Sequence, residues 1–158
     1  AALSVTKPAL YYYAKSKDEL LYNVIEFAFA DTQSAIGVIE ASTQSGAEKL
    51  KAFFSRWLEA ALSDFGRCLI QSRSNSLEGN TQKKNTQARR RVQDKVHNFV
   101  RLGIDDGSLS SDDSILTTLA LFDLFNGTAL WFDPQGALAI EEVFEHHWRL
   151  MFNGLSVP

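Results

Sequence analysis

Apolar residues recur every three or four positions along most of the chain, which is the period of helices with one covered face. From Leu21 the stripe Leu21, Val24, Ile25, Ala28, Thr32, Ala35, Ile36 and Ile39 predicts a long helix over 17–43. Ser16, with Glu19 three residues on, has the form of a capping box at its start. Leu50, Phe53, Phe54, Trp57, Leu58 and Ala61 predict a second helix over 47–64, between turn signals at Ser45, Gly46 and at Asp64, Phe65, Gly66. Cys68 to Leu77 begins apolar and becomes rich in Ser and Asn, which reads as a short helix and then a loop around Glu78, Gly79 and Asn80. A long polar helix follows, with Val92, Val96, Phe99, Val100 and Ile104 facing inward, and it stops near Asp106 and Gly107. Ser111 and Asp112 are placed to cap a helix over 113–132. That helix is apolar on nearly all sides, so it has to be covered all round. After Asp133, Pro134, Gln135 and Gly136 a last helix over 137–154 carries Ile140, Val143, Phe144, His147, Trp148, Met151 and Phe152, and Leu155 extends the pattern. Prolines stand only at 8, 134 and 158, there is no alternating strand pattern and no repeat, and the fold class is all-α.

Composition narrows the function. At 158 residues and 45% hydrophobic the chain can bury a core without disulfides or a structural metal. Its one cysteine, Cys68, cannot form an internal bridge or a Cys-based zinc site, and a reducing cytoplasm fits best. No run approaches the roughly 20 apolar residues of a membrane span, and the start lacks the apolar core of a signal peptide, so neither a membrane protein nor a secreted one is expected. A formal charge of −3 argues against a protein that coats nucleic acid. It leaves room for a reader whose few basic contacts sit at one end.

Such an end exists in Ala2 to Leu21. Leu3, Ser4 and Val5 read as a turn, followed by a helix of about two turns from Lys7 or Pro8 to Tyr13, where proline is tolerated in the first turn. Tyr11, Tyr12 and Tyr13 lie about 100° apart around a helix and cannot all point inward. Exposed tyrosines beside Thr6, Lys7, Lys15 and Lys17 offer donors suited to phosphate on an element narrow enough for a DNA major groove. The same residues equally describe a short amphipathic helix with Leu10 and one tyrosine packed inward and the lysines solvated.

The string itself resembles the DNA-binding segment of the tetracycline-repressor (TetR) family of bacterial transcriptional regulators. The match runs through Leu3, Ser4, Val5, then Lys7, Pro8, Ala9, Leu10, Tyr11, Tyr12, Tyr13, and finally Lys15, Ser16, Lys17, Asp18, Glu19, Leu20, Leu21. The resemblance implies base-edge and nearby contacts from Thr6, Lys7, Pro8 and Tyr11 and phosphate contacts from Tyr12, Tyr13 and Lys17, with Leu10 in the motif's core. Ser4 stands where the family most often has Gly, and Ala14 where it usually has an aromatic. The family's first helix and most of its second are not in the sequence. Residues 1–21 are thus expected to be the C-terminal part of a helix-turn-helix domain, and 22–158 a helical ligand-binding and dimerisation domain. The resemblance further implies that the last two helices pair with their copies in a homodimer, through Gly127, Trp131, Val143, Phe144, His147, Trp148 and Met151. Gly127 costs helix stability, as a close approach by another helix would explain and as simple tolerance within the protomer core would also explain. A small apolar or aromatic effector is implied among Phe54, Trp57, Phe99, Phe122, Phe125 and Asn126. Phe53 and Phe65 belong to the same aromatic supply, and Gln71, Arg73 and Asn75 are further polar candidates. The function implied is that of a repressor released from a palindromic double-stranded DNA operator by its effector, with no cofactor.

Other constellations carry less. Glu142 and His146 share a helix face beside Glu145 and His147, but no second helix offers a matching Glu-x-x-His, and no metal site is expected. Lys83, Lys84, Arg89, Arg90, Arg91, Lys95 and Arg101 crowd the long polar helix with no aromatic among them before Phe99, a pattern that favours a solvated face over a nucleic-acid surface. No nucleophile motif or phosphate loop is present, and Asp105 and Asp106 point apart, so an enzyme is not expected. The alternative to a regulator is a dimeric all-α protein-interaction module without DNA binding.

Overall fold

The structure is a computed structural model that describes residues 16–63, 66–67 and 79–154. Among these residues it is all helical: α1 is Lys17–Glu40, α2 Gly46–Leu62, α3 Gly79–Asp105, α4 Ser114–Trp131 and α5 Ile140–Asn153. The expected boundary at 21/22 falls inside α1, one continuous helix.

Each start has a local chemical cause. Ser16 Oγ accepts the Glu19 amide at 3.0 Å and opens α1. Ser45 caps α2 in a full capping box, its hydroxyl accepting the Glu48 amide at 3.3 Å while Glu48 accepts the Ser45 amide at 2.8 Å. The expected start at 47 is therefore corrected to Gly46, with Ser45 as cap. The cap of α4 is Asp113, not Ser111 or Asp112, and its Oδ1 takes the Ile115 and Leu116 amides. Ser111 instead shares a hydrogen bond with Thr117. The last helix begins at Ile140 and not 137, where Glu142 reaches back to the Ala139 amide.

Gly46 and Gly107 fix how the ends meet. A Cβ on Gly46 would run into the backbone of Gly103 and the carbonyl of Phe99, so α2 begins in direct contact with the end of α3. Gly107 takes a φ of +74°, ending α3 with a left-handed residue, and Leu109 N–H closes the motif on Gly103 O at 2.9 Å. This turn carries Asp106 and Ser108 to α2, where Asp106 accepts the Gly46 amide at 2.8 Å and Ser108 the Ala47 amide at 3.1 Å. Two orphan amides of one helix are thereby satisfied by residues some sixty positions away.

The core lies between α2 and α3, closed by α1, α4 and α5. Leu50, Phe53, Phe54 and Leu58 meet Val92, Val96, Phe99 and Val100, with Ile36 and Ile39 above and Leu121, Phe125, Phe144 and Trp148 below. Rings run through it continuously: Phe54 stacks on Phe125 at 4.7 Å, Phe125 on Phe144 at 5.5 Å, and Phe144 on Trp148 at 6.0 Å. Each such pair adds about 0.5–1.5 kcal/mol beyond area burial.

One buried residue breaks the apolar pattern. Lys49, 4% exposed, occupies a stripe position on α2 and directs its ammonium at the end of α1. It donates to the carbonyls of Ile39 at 2.8 Å, Glu40 at 3.1 Å and Ser42 at 2.7 Å, with Ser42 Oγ at 3.1 Å. A cation among C-terminal carbonyls complements the helix dipole and satisfies its orphan acceptors. The helix stops at Glu40, short of the expected 43, and Lys49 receives the carbonyls left free there.

Candidate functional site

Three regions were expected to act, and the structure bears on two of them. Thr6, Lys7, Pro8, Tyr11, Tyr12 and Tyr13 lie outside the described residues, and Lys17 is described by its backbone alone. Gln71, Arg73 and Asn75, proposed to add polarity to an effector pocket, lie outside them as well.

Of the six residues expected to hold an effector, Phe54, Trp57, Phe122, Phe125 and Asn126 touch one another in a chain, and Phe99 lies in the same core. Phe54, Phe99 and Phe125 are buried in the core cluster, and Trp57 and Phe122 pack at its half-buried rim with ring centroids 5.4 Å apart. Trp57 also stacks on Phe53 at 5.6 Å, and Phe122 meets Phe54 edge-on at 5.3 Å. At this rim the Trp57 indole N–H donates to Asn126 Oδ1 at 2.9 Å. The result is an aromatic wall whose rings meet edge-on around Phe122, with one polar pair at its rim, and sites that take apolar ligands orient them by such a single group. A separate groove of about 340 Å³ lies between α2 and α5, walled by Ala52, Ser55, Ile140 and Phe144. The Lys51–Glu145 ion pair of 2.8 Å lies at it, and none of the six expected effector residues lines it.

Of the seven expected dimer residues, four are occupied by their own chain. Val143, Phe144, His147 and Trp148 are buried in the protomer. Gly127, Trp131 and Met151 remain open to a partner, and a Cβ on Gly127 would meet nothing of this chain within 4 Å. Close packing within the protomer therefore does not explain Gly127. Around it, Leu116, Leu119, Leu130 and Trp131 stand 40–66% exposed at helical spacing along one face of α4, interrupted by one exposed carboxylate, Asp123. Leu138, Met151 and Phe152 extend the exposed apolar surface from the connection before α5 to its last turn. The sequence reading missed Leu116, Leu119 and Leu130 because α4 is apolar on every side, so periodicity could not say which side lacks a neighbour.

His147 sits behind this face. Thr128 donates its one hydroxyl proton to Leu124 O at 3.0 Å, so its oxygen accepts Nε2–H of His147 at 2.9 Å. That fixes the tautomer and leaves buried Nδ1 without a partner among the described residues. Burial, and secondarily the neighbouring His146, hold the imidazole below its usual value, which keeps it neutral. Asp106 is held below the ordinary carboxyl range by hydrogen bonds from the Ser108 side chain and the Gly46 and Ser108 amides, and Glu48 by those from Ser45. These carboxylates serve helix starts. Among the described residues no three His, Cys, Asp or Glu side chains gather to hold a metal, and no helix is long and apolar enough to cross a membrane.

Comparison with known proteins agrees with this layout. No curated protein sequence matches. The chain is similar in structure to a TetR-family transcriptional regulator, PfmR, from Thermus thermophilus, with 25% identity and a TM-score of 0.83 over 96% of this chain and 84% of that one. It is similar to a regulator of the TetR/AcrR family from Thermobifida fusca, with 25% identity and a TM-score of 0.80 over 96% and 81% of the two chains. At 16% identity it shares the fold of AibR, whose structure was solved with isovaleryl coenzyme A and operator DNA, with a TM-score of 0.82 over 93% and 80%. The family model of the tetracycline-repressor-like C-terminal domain matches residues 43–155, most of the chain. The proteins of this family are transcription regulators and not enzymes, and this chain belongs to the TetR family.

Proposed function

We propose that the chain is the effector-binding and dimerisation part, with the end of the helix-turn-helix, of a cytoplasmic homodimeric repressor. It binds a palindromic operator through Thr6, Lys7, Pro8, Tyr11, Tyr12, Tyr13 and Lys17, and a small apolar or aromatic effector releases it. Residues 1–21 then belong to the DNA-binding domain and 22–158 to the regulatory one. The observation that carries this reading is the uncovered apolar face of α4 on a tetracycline-repressor-like domain: an apolar helix face of this length in water calls for a second copy.

The switch would run through α1. Twenty-four residues rise about 36 Å as one rod, and the Lys49 ammonium clamps its end to the ligand domain. A displacement of α2 beneath that clamp changes the spacing of the two recognition helices, which must match half-sites about 34 Å apart or a multiple of that. The effector would enter at the Trp57, Phe122 and Asn126 rim, displacing the indole from its amide partner. A ligand favouring the spread state 100-fold couples at about 2.7 kcal/mol. Titrating effector into the intact protein, followed by Trp57 fluorescence, tests this: operator DNA should weaken the effector by the factor with which effector weakens operator. Equal effector affinities with and without operator refute the switch. A dimer with no operator affinity would instead support the protein-interaction module.

A further inference from the structure

Between Gly79 and Arg101, α3 carries seven cations against one carboxylate, Asp94, in a chain whose net charge is −3. By sequence this reads as a solvated face lacking aromatics. The structure adds two facts. Lys84 lies over the ring of Tyr22 at 5.2 Å, and Lys95 pairs with Glu40 at 2.7 Å, so α3 runs alongside α1 in the same sense. Its basic N-terminal half therefore lies toward the start of α1, the end that follows the segment Thr6–Tyr13 in the sequence. Tyr22 stands five residues, about 7.5 Å of helix, from the first residue of α1. The aromatic missing from α3 is supplied by its neighbour.

The cations divide into two stripes. Lys84, Arg91 and Lys95 follow the seam with α1, where the Arg91 charge acts on the Tyr22 hydroxyl. Lys83, Arg90 and Arg101 share the outward face, and Arg89 is also exposed. Among the described residues only Lys95 of these seven has a carboxylate within ion-pair distance. Lys83 and Arg90 are two helical turns apart, about 10.5 Å, so a polyanion can engage both at once.

We infer that the outward basic face of the first half of α3, centred on Lys83 and Arg90, binds the phosphate backbone of the DNA held by the adjoining recognition segment. The ligand domain would thus contribute contacts of its own. Charge complementarity and continuity through α1 with that segment select DNA as the occupant. The inference rests on the DNA-binding reading above, and its test separates the two.

The probe is a duplex of arbitrary sequence, about 40 bp or roughly 136 Å long at 3.4 Å per step, titrated with the intact protein over a range of salt. The variant is Lys83→Gln with Arg90→Gln, both exposed. Its control is Arg56→Gln with Arg149→Gln, which removes equal charge from exposed sites on α2 and α5. At about 0.9 units of slope per phosphate, loss of both contacts in each chain lowers the salt slope of the dimer by about 3.6 units and its affinity at 0.1 M salt by roughly 4,000-fold. The control should leave the slope unchanged. An unchanged slope for the Lys83/Arg90 variant, or an equal fall in the control, overturns the inference. If that happens while Tyr11→Ala still abolishes operator preference, the recognition reading stands alone. If the Lys83/Arg90 variant loses binding while Tyr11→Ala leaves base preference intact, the basic face stands and the recognition assignment falls. Wild-type protein that binds no duplex at any salt overturns both.

Discussion

Replacing Lys49 by methionine tests the joint through which any signal must pass. The substitution keeps most of the aliphatic stem and removes the ammonium. Ile39 O would retain donors, since the Ser42 amide and hydroxyl also reach it at 3.2 and 2.7 Å. Glu40 O and Ser42 O would lose their charged donor in a part-buried joint. Two under-satisfied carbonyls at about 1–1.5 kcal/mol each, plus about 0.5 kcal/mol of lost dipole complement, are partly offset because a lysine no longer has to be desolvated. The expected cost is about 2–3 kcal/mol. For a domain of this size that lowers the melting temperature by roughly 4–12 °C. Thermal melts by circular dichroism read the shift, and hydrogen exchange should show the extra opening concentrated in the last two turns of α1. A melting temperature within 1 °C of wild type, with α1 as protected as before, would show that the ammonium does not hold the joint.

Further expectations follow from single residues. Gly46→Ala should cost about 3 kcal/mol because its Cβ meets the Gly103 backbone, whereas Gly127→Ala should leave the protomer as stable or improve it by up to about 1 kcal/mol, both read by denaturant titration. Gly127→Leu, Leu130→Asp and Trp131→Asp should each shift a dimer toward monomer in sedimentation at micromolar concentration, while a monomeric wild type would remove the basis for all three. The folded imidazole of His147 titrates below its ordinary value, so the unfolded chain takes up a proton first as pH falls. Stability is therefore lost from about pH 6.5 downward until the folded value is reached, and His147→Gln, which keeps a donor for Thr128, should flatten melting temperature against pH over that window.

The five described helices were legible because their stripes keep a helical period over several turns, and Pro134 and Gly107 mark two of the breaks. Ends were less legible. Gly46 read as a turn residue, yet it opens α2 because the Ser45 and Glu48 box and the carboxylate of Asp106 satisfy its first amides. Asp106 looked like an idle carboxylate because a partner some sixty residues away leaves no trace in local spacing. Lys49 did leave one, a charge at an apolar stripe position one residue before Leu50. The aromatic wall was legible from residue type and helical phase, whereas the split of α5 into a buried and an open side was not. Val143, Phe144, Trp148, Met151 and Phe152 are all apolar, and only tertiary packing decides that the first three turn inward.

The central claim is that two copies of this protein, joined through α4 and α5, read one operator with two recognition segments. Selection of duplexes from a random pool by the intact protein tests it most directly. The account predicts an enriched sequence with two-fold symmetry, its half-sites about 10 bp or a multiple apart and two chains on each duplex. An enriched sequence without symmetry, a single chain per duplex, or no enrichment at all would contradict it.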